Sequence, residues 1–267
     1  MLNASDTDLP IGVFDSGMGG LTVLAALQHA MPRETFIFLG DTARLPYGTK
    51  SADTVRRYAV RAATHLVELG IKALVVACNT ASAAALPQLK AEFAPLPVYG
   101  VIEPGALAAS LAAKGGSVAI LATEGTVRAG TYNSELLKLG VRRVYARPAP
   151  LLVTLAEEGR AEGSLARHIV ADYLDGLGGS SAPATLLLGC THFPVFRAMC
   201  AQLLGDMVQI VDSASTTAAV VAARTPACQN RDAGMHRYLA TDGADRFRRV
   251  GRFFLGRPLP DVELVDL

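Results

Sequence analysis

The sequence carries almost no net charge: 25 Lys and Arg stand against 24 Asp and Glu, leaving +1 at pH 7. No run of like charge stands out along the chain. Nucleic acid and anionic membrane surfaces are recognised through such runs, so neither is expected as a partner. No uninterrupted apolar stretch reaches the roughly 18 residues a membrane span requires. Residues 1–10 are polar and acidic where a secretory leader would be basic and then apolar. The expected location is cytoplasmic. Cysteine is scarce too, and the four present, Cys78, Cys190, Cys200 and Cys228, form no CxxC pair and no His/Cys cluster. That pattern disfavours a disulfide framework and a metal site alike, so each thiol needs its own explanation. None of the few lysines (Lys50, Lys72, Lys90, Lys114, Lys138) sits in a motif suited to a Schiff base beside a phosphate cradle. No cofactor is expected.

What the chain does have is apolar content, 51% of its 267 residues, enough for one large domain or two modest ones. Short β-branched runs at 11–14, 35–39, 71–77, 98–102, 117–122, 185–189 and 209–211 alternate with helical segments, the rhythm of a largely parallel α/β sheet. Runs such as ALVVA and TLLLG are apolar on both faces, which predicts helices covering both sides. Residues 51–69 carry Val55, Tyr58, Ala59, Ala62, Leu66 and Leu69 on one helical stripe, with Ser51 placed as cap and Gly70 as stop. There is also an internal echo. VVACNTA around Cys78 matches LLLGCTH around Cys190, and IGVFDSG at Ile11 matches VAILATEG at Val118, both pairs offset by about 110 residues. Two similar α/β halves are predicted.

Chemistry concentrates where strands end. The turn Asp15-Ser16-Gly17-Met18-Gly19-Gly20 follows the first strand, where ligands bind in open α/β sheets. It is not GxGxxG, since Thr22 takes the sixth position, and Asp15 would repel a phosphate. An acid beside backbone donors suits a zwitterion; a plain tight turn with Asp15 as cap is the alternative. Cys78 precedes an Ala-rich helical stretch, and a helix N-terminus lowers a thiol's pKa, so Cys78 is placed to be a base. Buried filler is the plainer reading of a Cys after an apolar run. Cys190 is followed by Thr191 and His192, and in an extended backbone residues 190 and 192 share a face, which allows them to exchange a proton. A helix is expected to begin near Pro194. Cys200, among Phe196, Met199 and Leu203, reads as core, and Cys228, in TPACQNRD, as a surface or loop residue. If the two halves face each other, Cys78 and Cys190 reach one cleft from opposite sides. A stereocentre between them can lose its proton to one and gain one from the other, provided donors such as Ser16, Asn79, Thr80 and Thr191 support the carbanion.

The segments IGVFDSGMGGLTV, LPYGTKS, VVACNTAS, GVIEPGA, LATEGTV, LAEEG and LLLGCTHFP, in that order over nearly the whole chain, closely resemble the glutamate racemases. The resemblance implies two α/β domains related by a pseudo-twofold, 1–100 plus 211–267 and 101–210, with the active site in the cleft between them. It implies interconversion of L- and D-glutamate for peptidoglycan synthesis, without pyridoxal phosphate or metal. Cys78 and Cys190 then match the catalytic thiols, Cys78 acting on the D- and Cys190 on the L-enantiomer, with Asp15 and His192 as their assistants. Glu157 matches a carboxylate near Cys190, although TLAEEG lacks the Pro many members have, which leaves Glu158 open. Substrate-binding positions are Asp15, Ser16, Pro46, Tyr47, Gly48, Asn79, Thr80, Thr123, Thr191 and His192. Homodimerisation stays open. Aspartate racemases and arylmalonate decarboxylases share the architecture, and a non-catalytic two-domain amino-acid-binding protein is the rival of a different class.

Overall fold

Strands that are apolar at every position must be covered on both faces, and that requirement sets the architecture. The computed structural model describes residues 6–178, 182–228 and 235–267. Its first stretch runs β1 (Ile11–Asp15), α1 (Leu21–Ala30), β2 (Phe36–Gly40), α2 (Ala52–Glu68), β3 (Ala73–Val76), α3 (Asn79–Glu92) and β4 (Val98–Gly100). A second follows as α4 (Ile102–Ala113), β5 (Val118–Ala122), α5 (Glu124–Ala129), α6 (Thr131–Lys138), β6 (Val144–Pro148), α7 (Pro150–Glu157), α8 (Gly163–Leu174), β7 (Thr185–Gly189), α9 (Arg197–Leu204) and β8 (Gln209–Asp212). The chain ends with α10 (Ser213–Arg224), β9 (His236–Ala240), α11 (Ala244–Leu255) and β10 (Glu263–Leu264).

Among the described residues the strands form two sheets, β10-β9-β2-β1-β3-β4 and β6-β5-β7-β8, and their pairings are parallel. The order β2-β1-β3-β4 recurs as β6-β5-β7-β8. The echo in the sequence is therefore a repeat of topology: β3 and β7 hold equivalent places, and Cys78 and Cys190 follow their carboxyl ends. β9 and β10 extend the first sheet beyond β2, and α10 packs on α1 and α4 between the sheets.

Side-chain alternation along each strand sorts the core. Ile11 and Val13, Phe36 and Phe38, Ala119 and Leu121, and Leu186 and Leu188 all point into one apolar cluster that runs through both sheets. Their neighbours point the other way. Phe14, Ile37, Leu74 and Val76 pack with the α2 and α3 residues Ala59, Leu66 and Leu86, while Val118, Ile120 and Leu187 pack with Ile102, Ala109 and Leu136. On α2 the predicted stripe is buried at Val55, Ala59, Ala62 and Leu66. Ser51 caps it, accepting from the Thr54 N–H.

Several expectations change. β6, β9 and β10 are not legible as apolar runs. β6 is a half-buried edge, and β9 carries His236 and Arg237. After Cys190 the chain makes a 3-10 turn at Phe193–Phe196 before α9 begins at Arg197. Basic residues are not evenly spread: α11 gathers Arg246, Arg248, Arg249 and Arg252. Cys200 is core, fully buried. Cys228 is in a loop but is not at the surface. It is 1% exposed, its N–H donates to Glu34 Oε1 at 2.6 Å and its thiol to Asp8 Oδ1 at 3.2 Å. Sequence polarity misled there because the TPAC segment folds over a buried ion pair. No described helix is long and apolar enough to cross a membrane.

That ion pair joins Lys72 Nζ and Glu34 at 2.7 Å, both side chains almost wholly buried. The ammonium also donates to Thr7 O at 2.6 Å and Pro226 O at 3.1 Å. It thereby ties the N-terminal segment, the entry to β3 and the loop after α10 together. Lys72→Met strands a buried carboxylate, and unfolding in urea should show a loss of about 3–5 kcal/mol. A loss under about 1 kcal/mol, the value of a surface pair, would show that the carboxylate is resolvated.

Candidate active site

The carboxyl ends of β1, β3 and β7 and the segments that follow β2, β5 and β6 converge on one cavity of about 180 Å³ between the sheets. Ser16, Pro46, Tyr47, Gly48, Cys78, Asn79, Thr80, Thr123, Glu157, Cys190, Thr191 and His192 all line it. Of the residues anticipated from sequence, only Asp15 is outside the lining; it is fully buried behind Ser16 and Gly17. The cavity also takes in Gly17, Leu45, Thr49, Glu124 and Thr154, which stand in the same motifs as the expected site residues, and Pro150 and Val153, which belong to none.

The glycine-rich turn owes its composition to crowding. A Cβ at Gly20 would sit 2.4 Å from Asp15 Cβ. One at Gly19 would sit 2.4 Å from His192 Nδ1 and 2.6 Å from Thr191 Oγ1. Gly19 and Gly20 thus let β1's turn close over Asp15 and let the segment that follows β7 press against it. Thr22 Oγ1 holds that approach by donating to Thr191 O at 2.8 Å. Gly48 and Gly125 do the same on the other side. A Cβ on Gly48 would meet Thr123 at 2.8 Å, and one on Gly125 would meet Gly48 O at 2.9 Å. Two of the turn's donors are spent inside it. The N–H groups of Gly17 and Gly20 both donate to Asp15 Oδ2, each at 3.0 Å, and Asp15 Oδ1 is buried without a partner. Asp15 does cap the turn, and burial raises its pKa despite the opposing influence of His192 and these N–H groups.

Cys78 is the N-cap of α3. Its sulfur lies 3.4 Å from Ser16 Oγ, whose hydroxyl can donate to a thiolate, and accepts from the Ala81 N–H at 3.4 Å. These contacts favour a thiolate, as expected of a helix N-terminus, but they lose. Burial, followed by the charge of Asp15, pushes the thiol up to about 12, with a smaller push from Cys190 across the cavity. Cys78 is therefore a neutral thiol at neutral pH. The side of Cys190 is different. His192 Nδ1 is 3.7 Å from Cys190 Sγ and 3.4 Å from Thr191 Oγ1, while Nε2 is 3.2 Å from Glu157 Oε1. Burial alone would lower the imidazole's pKa. Its hydrogen bonds and charge interactions with Cys190 and Glu157 outweigh that and raise it to about 10, so His192 is an imidazolium at neutral pH. Burial would raise the Glu157 carboxyl, but His192, with help from Arg246, holds it below its usual range. Arg246 is 3.6 Å from Glu157 and 3.4 Å from Glu158. Glu157 is thus the carboxylate that reaches His192, while Glu158 is exposed.

Supporting contacts join the start of α3 to α5, α6 and α10. Asn79 Nδ2 donates to Tyr132 OH at 2.9 Å and to Ser213 Oγ at 3.3 Å. Thr80 Oγ1 lies 2.8 Å from Thr123 Oγ1 and 3.2 Å from Thr126 Oγ1. Tyr132 and Ser213 escape sequence reading because nothing local marks them, while Thr126 stands inside the LATEGTV segment without being singled out there. Tyr47 contributes its ring and backbone only: its hydroxyl is spent on Asp41 Oδ2 at 2.6 Å. Its pKa is raised by burial and by Asp41. Gly19→Ala displaces His192 or Thr191 rather than unfolding the chain. Catalytic turnover should fall by about 100-fold while cooperative unfolding is retained; turnover near the parent level would show that the contact is slack.

The chain is similar to known proteins in both sequence and fold. The family model described as Asp/Glu/Hydantoin racemase matches residues 18–223. A glutamate racemase of Geobacter metallireducens is 44% identical over 262 residues, 96% of each chain. The solved glutamate racemase of Francisella tularensis, crystallised with D-glutamate, superposes with a TM-score of 0.89 at 31% identity, covering 97% of this chain and 98% of that one. Glutamate racemase isoform RacE1 of Bacillus anthracis gives 0.91 at 33% identity over 98% of both. By sequence and fold together, the chain belongs to the Asp/Glu/Hydantoin racemase family, on its glutamate racemase branch.

Proposed function

We propose that the chain is an isomerase that interconverts L- and D-glutamate through two thiols, Cys78 and Cys190, without a cofactor. The observation that carries this reading is the repeat of topology, which sets one thiol after β3 and the other after β7, both lining the same cavity. Two acid/base groups on opposite sides of one carbon are what inversion at Cα requires. Relatives named as glutamate racemases, one of them solved with D-glutamate bound, support glutamate as the substrate. Its D-product would supply peptidoglycan synthesis.

The substrate is held at its fixed ends while Cα faces both sulfurs. The first N–H groups of a helix have no intrahelical partner, so α3's N-terminus at Asn79 and Thr80 presents donors to a carboxylate, and Thr191 and Ser16 add hydroxyls. These donors also stabilise negative charge that develops on the α-carboxylate as the proton leaves. From L-glutamate, Cys190 takes the Cα proton, with His192 and Glu157 balancing the charge. The neutral Cys78 thiol delivers a proton to the opposite face. From D-glutamate the roles reverse. Cys78 must then act as base despite its raised pKa, and a substrate ammonium near Asp15 and Ser16 offsets the burial that raised it.

Purified, cofactor-free protein should drive the optical rotation of L- or D-glutamate to zero. Cys78→Ala and Cys190→Ala should each lower racemisation by roughly a thousandfold with the fold intact. Cys200→Ala should keep turnover and lower stability by about 1 kcal/mol. Preserved racemisation in either active-site variant, or a preference for aspartate, would overturn the reading.

A further inference from the structure

On the other side of Glu157 lies a second, larger cavity of about 570 Å³, and Glu157 is in the wall of both. It is framed by the end of α7 and one face of α11, and four guanidiniums line it: Arg246, Arg249 and Arg252 from the helix, and Arg257 just beyond it. Residues three apart on a helix are neighbours, and like charges there repel. The helix neutralises its other arginine, since Arg248 pairs with Asp245 at 2.6 Å and Asp261 at 3.6 Å. Arg246 has Glu157 and Glu158. Arg249 and Arg252 are exposed with no acidic partner among the described residues, and Arg257 donates to the neutral side-chain oxygen of Gln28 at 2.8 Å. A solvated helix face would account for scattered arginines on a convex surface. A concavity lined by unneutralised cations instead focuses positive potential on its contents, and guanidinium forks match paired oxyanions.

We propose that this cavity is a binding site for a small phosphate-class polyanion, gripped by Arg249, Arg252 and Arg257 and touching Arg246. Several forks in one cavity favour an anion with two charged groups over a monocarboxylate, which fills one fork. The site is coupled to the catalytic side, a consequence that rests on the racemase reading above. Arg246 bridges the cavity to Glu157, and Glu157 holds His192, so a bound anion competes with Glu157 for Arg246 and alters kcat.

Calorimetric titration of the full chain with inorganic pyrophosphate tests the site. The parent should show saturable one-site binding, weakened at least about tenfold in Arg249→Ala/Arg252→Ala. Binding should be unchanged in Arg57→Ala/Arg61→Ala on the exposed face of α2. Neither variant touches the catalytic cavity, so turnover without pyrophosphate should match the parent in both. Absence of saturable binding, equal weakening in both variants, or binding to phosphatidylglycerol vesicles in place of pyrophosphate would overturn the site. Saturable binding that leaves kcat unmoved would overturn the coupling through Arg246. Failure of the racemase reading would leave the calorimetric result readable on its own.

Discussion

The structure depends on how closely the segment after β7 can approach at Gly19. With hydrogen for a side chain there, His192 and Thr191 of that segment seat directly on the turn that follows β1, and a Cβ would intrude to within 2.4 Å of the imidazole. The position of His192 fixes that of its partners, Cys190 on one ring nitrogen and Glu157 on the other. Gly20, by the same logic, lets the turn close on Asp15, whose burial and charge bear on Cys78. Two adjacent glycines therefore connect the environments of both thiols, and Gly48 and Gly125 repeat the close contact at the opposite rim.

Charge in this cavity is asymmetric although the topology is symmetric. Cys78 sits at the start of a full helix yet is held neutral by burial and a neighbouring acid. Cys190 is followed by a short 3-10 turn, too brief for a substantial dipole, and has an imidazolium in its place. In our account, a reaction running from either enantiomer needs one thiol ready to give a proton and the other supported in taking one. The two environments supply that difference by distinct physical means, a helix end with an acid on one side and an ion-paired histidine on the other. Burial makes both arrangements matter, because a charge in a water-poor cavity is felt at distances that solvent would otherwise screen.

Much of this was legible in the sequence because it is local. Strands apolar on both faces, the Ser51 cap on α2 and the two strand-end cysteine motifs all follow from residues close together in the chain, and the echo between the halves anticipated the repeated strand order. What the sequence left open depends on packing. β6 and β9 gain their pairing from neighbouring strands rather than from their own composition. The choice of Glu157 over Glu158 depends on which side of α7's end faces His192. The direction of the Cys78 shift reversed because burial, together with the charge of Asp15, outweighs a helix end. Cys228 looked polar by its neighbours and is buried by Glu34 and Asp8, residues about 200 positions away. Tyr132 and Ser213, which brace Asn79, have no local signature at all.

In the two-thiol proposal the proton leaving Cα and the proton arriving there belong to different sulfurs, and hydrogen exchange with solvent tests this directly. In deuterated water, D-glutamate formed in the first turnovers from ordinary L-glutamate should carry deuterium at Cα almost completely, because Cys78 equilibrates with solvent before substrate binds. Unreacted L-glutamate should remain largely unlabelled at that stage, and the mirror experiment from D-glutamate should give the same pattern. Early product that keeps a substantial share of the original hydrogen would mean one group serves both faces, contradicting the two-thiol account even if glutamate proves to be the substrate.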